Sequence, residues 1–583
     1  MPDLNDLQSA WAAKWPEALT LWSRFTRLSE PRWCFTPDDA KREGLTGSFA
    51  MIRFDDQAVV IGLHLIAEKK LEPFALEILA HEVGHHVYAP ADLSDHGRMI
   101  ARMRRALPTK EHLAAFISNL YTDLLINDRL QRGSNLRLAQ VYETLGNNST
   151  DKLWTFYMRV YEILWSLPKG KLAKGTIDDQ LEGDAYLGSR LIRSYARDWM
   201  GGAGRFAALC LPYLLENEGQ EIQQILRGWR DMEGSGQGGA PGGLTEIEDD
   251  ELEGAIHPAL DDELTGLEGD DIRGEKKNGT RPGGDAPGGS RGQYREPFEY
   301  GQILKALGLN LSDHEIAIRY YKERATPNLI RFPTRIKPES TEPLPEGLEA
   351  WDIGSPLEAA DWLQSVIVSP RVVPGMTTVQ RVWGTTEGSL PEKEPLDLDL
   401  YVDCSGSMPN PQVNVSYLTL AGAIIALSAL RVGARVQATL WSGAGQFDTT
   451  GGFIADERKI LGILTGYLGG ATAFPIHVLR ETYQNRKPGD RPVHILHISD
   501  DGITTMFGKD EKGNSGWEVS QMALTKARGG GSMVLNLWQD WQKNADLSRA
   551  HDEGWQISVV RTWEELVAFA KAFSKAKYGD DGR

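Results

Sequence analysis

Residues 78–87 read ILAHEVGHHV and constrain the fold of this chain more than any other stretch. Two histidines stand four positions apart in an apolar run, and a glutamate directly follows the first. In a helix of 3.6 residues per turn, His81 and His85 lie one above the other, so both imidazoles can reach one zinc ion. Glu82 then lies where it can accept a proton from a zinc-bound water. The pattern predicts a buried helix that carries a hydrolytic zinc site.

Such a site needs a third protein ligand and keeps its fourth position for water. The strongest candidate is Asp123, because a carboxylate in the middle of an apolar helical run is costly unless it is paired or bound to a metal. Asn119 and Asn127 lie one turn before and one turn after it on the same face, where they can orient the ligands. His86 points about 100° away from His85 and is expected to pack or to support the site. The other candidates for the third ligand are Asp128, His96 and Glu111.

The length and composition bound the class of protein. With 583 residues the chain is too long for one core, so we expect several domains. There is no apolar run of about 18 residues, which argues against a transmembrane helix and a membrane partner, and the first residues lack the pattern of a signal peptide. The three cysteines, Cys34, Cys210 and Cys404, are far apart, which suits a reducing cytoplasm. We therefore expect a cytoplasmic location.

The net charge of −18 is concentrated in one segment. Between Asp231 and Asp270 there are 13 Asp or Glu residues and no Lys or Arg, and the rest of the chain is nearly balanced. No basic patch therefore indicates a nucleic-acid partner. Because Gly-rich stretches bracket this acidic segment and large apolar residues are few, residues 231–298 are predicted to be a disordered linker. The alternative is an acidic strap that docks a basic partner.

The rest of the chain is expected to form folded domains. Residues 1–230 are predicted to be a mainly helical domain, with a β-hairpin over 47–63 that either lines a substrate cleft or only covers the histidine helix. Residues 299–390 are predicted to be a small mixed connector. From 391 to 583 strands and amphipathic helices alternate, which is typical of an α/β doubly wound domain with a parallel sheet.

Three loops of this last region predict a second metal site. Its first strand ends in Asp403, and the following Ser405 and Ser407 add hydroxyl oxygens in a tight turn. Ligands bind at the carboxyl ends of strands in an open parallel sheet, and such oxygens suit a hard cation such as Mg²⁺. Later loops supply the hydroxyl of Thr472 and the carboxylate of Asp500.

This set of loops resembles the von Willebrand factor A domain and its metal-ion-dependent adhesion site, over roughly residues 391–583. The resemblance implies that Ser405, Ser407 and Thr472 bind Mg²⁺ directly, whereas Asp403 and Asp500 bind it mainly through water. It also implies that the metal accepts a carboxylate from a partner protein.

The sequence departs from the family pattern at two positions. Ala471 separates the glycine pair from the threonine, where the family often has glycine directly before threonine. The doubled Asp500-Asp501 leaves the final carboxylate ambiguous by one residue.

The order of a helical HExxH domain, a linker and an A domain resembles the predicted bacterial metallopeptidases with A-like domains, which are associated with MoxR-type AAA+ ATPases. The layout is also similar to that of the large subunits of magnesium and cobalt chelatases. The likeness implies a zincin-like first domain and an AAA+ ATPase partner. Since the chain has no P-loop motif, ATP hydrolysis must come from another protein.

These observations lead to two alternative functions. In the first, the chain is a zinc metallopeptidase that cleaves a peptide or protein, and its A domain docks it to the ATPase. In the second, it is a non-enzymatic adaptor with a structural zinc site that delivers clients to an AAA+ ATPase. A chelatase-like accessory role would need tetrapyrrole binding, for which the sequence has no feature.

Overall fold

The computed structural model of the protein describes residues 3–45, 48–146, 149–216, 232–233, 240–252, 255–265, 293–332, 334–336, 341–387 and 393–562, with residues 565, 569 and 573. The chain forms two compact units. The first comprises Met1–Glu323 with Gln412–Val415, and the second comprises Arg324–Pro411 with Ser416–Arg583. The protein is therefore multidomain, as the sequence predicts. Of the predicted connector, residues 299–323 belong to the first unit and the rest to the second.

The first unit is mainly helical. Its helices, in chain order, are α1 (Leu4–Ala12), α2 (Trp15–Trp22), α3 (Pro37–Arg42), α4 (Leu63–Glu68), α5 (Ala75–Val87), α6 (Leu93–Ala106), α7 (Ala114–Gly133), α8 (Leu138–Leu145), α9 (Lys152–Leu164), α10 (Asp179–Ser194), α11 (Trp199–Glu216), α12 (Asp249–Leu252), α13 (Asp262–Thr265), α14 (Pro297–Ala306) and α15 (Asp313–Ala325). The long helices bury apolar faces at helical spacing, which accounts for their stability in this unit.

A small sheet of the first unit combines three strands that precede the histidine helix α5 in the chain with one that follows it. Its strands are β1 (Arg32–Cys34), β2 (Ala50–Arg53), β3 (Ala58–Gly62) and β4 (Met232–Glu233), in the order β1-β3-β2-β4. β2 and β3 pair in antiparallel fashion and form a hairpin within the predicted range. At the turn, the amide oxygen of Gln57 contacts Nδ1 of His86 on α5, so the hairpin lies against that helix.

Part of the predicted linker is folded. Residues 240–252 and 255–265, called here the docked acidic segment, contain the strand β5 (Glu246–Ile247), which pairs with β6 (Gln293–Tyr294). Leu244 and Leu264 of this segment are buried in the first unit. This differs from the predicted disorder. The remainder of residues 231–292, apart from β4, lies outside the described residues.

Arginines explain why so acidic a segment folds. Glu248 forms ion pairs with Arg98 at 2.8 Å and with Arg102 at 2.9 Å, both on α6. Asp261 forms another with Arg205 on α11, at 2.5 Å. Because these guanidinium groups neutralise the carboxylates, the segment does not need a basic partner protein in order to dock.

The second unit is built on a six-stranded mixed sheet. The unit contains the strands β7 (Thr334–Ile336), β8 (Thr341–Ala350), β9 (Val379–Glu387), β10 (Lys393–Pro395), β11 (Asp397–Asp403), β12 (Val436–Trp441), β13 (Phe447–Thr449), β14 (Val493–Ser499), β15 (Arg528–Leu535) and β16 (Trp555–Val559). Its helices are α16 (Trp362–Val368), α17 (Tyr417–Arg431), α18 (Glu457–Leu464), α19 (Ile476–Gln484), α20 (Gly516–Ala527) and α21 (Ala545–Asp552).

The order of the six strands is β13-β12-β11-β14-β15-β16, and all neighbours except β13 and β12 are parallel. The sequence predicts the parallel sheet but not β13, a three-residue antiparallel strand at its edge. β11 and β14 lie at the centre and are buried along their whole length. Their carboxyl ends therefore lie side by side, which brings Asp403 and Asp500 to one edge of the sheet.

Candidate metal centre

The position of α5 is fixed by close packing against α2 and α7. Trp22 donates a hydrogen bond of 2.7 Å from Nε1 to the carbonyl of Ala80. A Cβ at Gly84 would lie 2.6 Å from Cγ2 of Ile126 and 2.6 Å from Cζ2 of Trp22. Only glycine therefore allows α7 to approach α5 this closely. Since Ile126 lies one turn after Asp123, this contact also sets the distance between Asp123 and the histidines.

Three side chains meet between α5 and α7. Nε2 of His81 and Nε2 of His85 are 3.2 Å apart. Oδ1 of Asp123 lies 3.7 Å from the former and 3.4 Å from the latter. The exposed fractions are 8% for His81, 0% for His85 and 1% for Asp123. This buried group could hold a metal ion, and it is the set of three that the sequence predicts.

Hydrogen bonds to the far ring nitrogens orient both histidines. Nδ1 of His85 donates to the carbonyl of Ala89 at 3.2 Å, and Nδ1 of His81 donates to Oδ1 of Asn127 at 2.8 Å. Because a carbonyl oxygen can only accept, the proton of each ring lies on Nδ1. Each Nε2 therefore presents a lone pair to the centre, which is how a metal-binding histidine is usually prepared.

Asn127 is itself held by two tyrosines. Its Nδ2 donates to Tyr142 Oη at 3.0 Å and to Tyr161 Oη at 2.9 Å, which turns its oxygen towards His81. Tyr161 also shares a hydrogen bond of 3.0 Å with Tyr157. Burial raises the pKa of Tyr157 and Tyr161 well above the usual value, so both remain neutral hydroxyls. The sequence does not predict these tyrosines, because they come from helices without any motif.

The alternative third ligands take part in other contacts: Asp128 with Arg132, Glu111 with the backbone of Thr109, and His96 with Ser118. His96 is buried near the centre, and burial, with a smaller effect of His85, lowers its pKa to about 3. It is therefore a neutral imidazole outside the group of three. Glu82 is 1% exposed and directly follows His81 on the same helix.

A second cluster lies at the carboxyl end of β11. Oδ1 of Asp403 accepts a hydrogen bond of 2.8 Å from the backbone N–H of Ser405, and Oγ of Ser405 lies 3.1 Å from Oγ of Ser407. Ser499, for which the sequence gives no prediction, donates from its hydroxyl to Oδ2 of Asp403 at 2.6 Å. Burial raises the pKa of the Asp403 carboxyl above its usual value.

The other two predicted loops converge on the same point. A Cβ at Gly502 would lie 2.4 Å from Cγ2 of Thr472, 2.9 Å from Oδ1 of Asp500 and 3.4 Å from Oδ2 of Asp403. Asp500 is buried, whereas Asp501 is exposed. Of the doubled aspartates, the structure therefore places Asp500 at this edge of the sheet.

Comparison of the chain with protein-family models and with curated protein sequences identifies no relative. No protein-family model matches the chain, and no curated protein sequence matches it. Among the described residues, no helix is both long enough and apolar enough to cross a membrane. Inferences about function depend on the geometry of the two clusters.

Proposed function

We propose that the first unit is a zinc-dependent peptidase, and that an A-type domain in the second unit binds Mg²⁺ and docks a protein partner. The resemblance of the sequence supports a MoxR-type AAA+ ATPase as this partner. The substrate is a peptide or protein.

The distances between the three ligand atoms are the main support for a zinc site. Two ligands that each lie about 2.0–2.1 Å from a tetrahedral zinc are about 3.3 Å apart. The separations among His81, His85 and Asp123 are 3.2, 3.4 and 3.7 Å. Among the described residues, this group consists of three metal-binding side chains, two imidazoles and one carboxylate. Three protein ligands leave a position for water, as in catalytic rather than structural zinc sites.

The residues around the group have separate tasks. A zinc ion bound there would polarise the carbonyl of the scissile bond and lower the pKa of a bound water. Glu82 would serve as the general base that takes a proton from the attacking water and then passes it to the leaving amine. Asn127 and the carbonyl of Ala89 hold the imidazoles in the tautomer that can bind the metal.

One observation favours the adaptor as a second candidate. Glu82 and His85 are almost completely buried, whereas a peptidase must admit a peptide to its general base. A structural zinc site needs no such access. In that case the group stabilises the helical domain, and the A-type domain alone provides the function.

The support for Mg²⁺ is the type and convergence of the ligands in the second cluster. Two carboxylates, Asp403 and Asp500, and three hydroxyls meet at one edge of the sheet. Hydroxyl and carboxylate oxygens suit Mg²⁺ and are poorer ligands for zinc than the imidazoles of the first cluster.

The peptidase is tested with Glu82→Gln in the full chain. Both proteins are loaded with zinc, their metal content is measured, and a proteome-derived peptide library is digested and read by mass spectrometry. We expect about one zinc in each protein and cleavage by the wild type alone, since Glu82 moves protons and does not bind the metal. Cleavage by the variant at the wild-type rate would refute the role of Glu82. If neither protein cleaves even with its ATPase partner present, the adaptor is the correct function.

A further inference from the structure

One hairpin of the second unit carries a helix in its connection and is called here the hairpin module. It consists of residues 341–387, in which β8 and β9 pair in antiparallel fashion and α16 lies in the connection between them. The backbone N–H of Asp361, which caps α16, donates to the carbonyl of Val379 at 2.9 Å. The N–H of Val379 donates to the hydroxyl of Ser365 at 2.9 Å, and Arg381 pairs with Asp361 at 2.6 Å. Polar contacts therefore fix α16 on the hairpin.

The helix α16 has the reverse of the usual arrangement. A surface helix normally buries its apolar face and exposes its polar one. In α16 the buried residue is Ser365, at 0% exposure, whereas Trp362, Leu363, Val366 and Ile367 are 50 to 68% exposed. The apolar side of this helix therefore faces away from the module.

The four apolar residues of α16 form one continuous stripe by helical spacing, and two further apolar side chains of the module are exposed. Ile353 and Met376 come from the two connections that flank α16, and both are more exposed than any of its residues, at 78% and 81%. Exposed apolar residues are common singly, but a contiguous set marks an interaction site. A two-stranded hairpin is also only marginally stable by itself, so a partner that covers α16 would stabilise the module.

The charge around the apolar face of α16 indicates which kind of partner can bind there. Residues 346–384 contain five carboxylates and two arginines, and one of those arginines pairs with Asp361. A second copy of this chain that docked through the same face would bring the same carboxylates together and so add like charge to it. An anionic membrane would do the same. Both are disfavoured by electrostatic repulsion, whereas a basic protein surface is attracted.

We propose that the apolar face of α16 docks in an apolar groove of a different protein, and that lysines or arginines rim this groove. Trp362, Leu363, Val366 and Ile367 are the anchors, in the manner of a helix bound in a groove. Asp352 and Glu358, which are exposed in the segment that precedes α16, contact the basic rim. This interface involves neither metal cluster, so it stands whether or not the peptidase proposal holds.

The first step of the test identifies what contacts the helix. The full chain, with the photo-crosslinking amino acid p-benzoylphenylalanine in place of Leu363, is expressed and irradiated in the organism that encodes it. The control carries the same group in place of Gln521, an exposed residue of α20. We expect one heterologous protein that is crosslinked through position 363 and not through position 521.

The second step measures binding of that purified protein by calorimetry. The double variant Leu363→Glu with Ile367→Glu should weaken binding by at least about 100-fold, because it places charge in an apolar contact. The matched control Val432→Glu, at another exposed apolar position of the same unit, should change the affinity by less than about twofold. The affinity of the wild type should fall as NaCl is raised, and Asp352→Lys with Glu358→Lys should weaken it.

Four results would overturn the proposal. The first is a crosslink only to a second copy, with a dimer in sedimentation velocity that the double variant abolishes. The second is binding to vesicles of phosphatidylcholine and phosphatidylglycerol that depends on Leu363. The third is no crosslink above that of the control position, and the fourth is unchanged binding of the captured protein by the double variant. Circular dichroism of each variant shows whether the fold is retained.

Discussion

Asn127 is the most informative residue to change in the first metal cluster, because it contacts no metal and yet orients a ligand. In Asn127→Ala, Nδ1 of His81 loses the acceptor that lies 2.8 Å away. The hydroxyls of Tyr142 and Tyr161 lose their common donor. The His81 ring is then free to rotate or to change tautomer, so that Nε2 no longer presents its lone pair to the centre.

The size of the effect follows from this one hydrogen bond. Leaving a buried donor without its acceptor costs about 1–3 kcal/mol, and 1.4 kcal/mol corresponds to about a factor of ten in affinity. We therefore expect the dissociation constant for zinc to rise by about 10- to 100-fold, the range usual for residues that support metal-binding histidines. The assay is a competition for zinc with a fluorescent chelator, using the full chain at fixed pH.

The matched control removes a hydroxyl one step further from the metal. Tyr157→Phe breaks only the bond of 3.0 Å between Tyr157 and Tyr161, and we expect a change of less than about threefold in zinc affinity, since this bond touches neither Asn127 nor His81. If Asn127→Ala is folded and binds zinc as tightly as the wild type, the orientation of His81 by Asn127 is irrelevant to the metal and the reasoning is wrong.

Three further predictions concern the packing of α5, the second metal cluster and the docked acidic segment. Gly84→Ala should lower the free energy of unfolding by about 1–3 kcal/mol, because its Cβ would overlap atoms of α7 and α2; thermal denaturation measures this, and an unchanged melting temperature would contradict it. Ser405→Ala with Ser407→Ala should abolish Mg²⁺-dependent binding to the proposed ATPase partner and leave zinc content intact, whereas wild-type affinity would show that docking lies elsewhere. Arg98→Ala with Arg102→Ala should release the docked acidic segment, since both arginines pair with the carboxylate of Glu248. Limited proteolysis should then cut this segment sooner than in the wild type. Equal rates of cleavage would show that these ion pairs do not hold the segment.

The sequence predicts the three ligands of the first cluster because each depends on a local rule. Helical spacing places His81 and His85 on one face, and the cost of a carboxylate in an apolar helix points to Asp123. The same spacing points to Asn127. The tyrosines behind it could not be predicted, since only the packing of α8 and α9 against α7 brings their hydroxyls to the amide.

The second unit was also predictable to a large extent, because the carboxyl ends of neighbouring parallel strands meet at one edge of a sheet. That rule brings Asp403 and Asp500 together from distant positions, whereas Thr472, in the loop between α18 and α19, was predicted from the resemblance to the A domain. It gives no information about β13, whose three residues are too few for a strand pattern.

The docked acidic segment shows where composition misleads. Acidic and glycine-rich sequence predicts disorder, but the prediction neglects the charges available elsewhere in the chain. Arg98, Arg102 and Arg105 of α6 are spaced by four and three residues, so they lie on one face of that helix. That basic face was the signal in the sequence for an intramolecular partner.

The most direct test of the zinc centre is X-ray absorption at the zinc K-edge of the purified full chain. We predict two imidazoles and two further oxygen ligands, all at about 2.0–2.1 Å, with the oxygens supplied by Asp123 and a water. In Asp123→Ala, the carboxylate should disappear from this shell while both imidazoles remain. A third imidazole, a sulfur atom at about 2.3 Å, or an unchanged spectrum in the variant would contradict the assignment of the site to His81, His85 and Asp123.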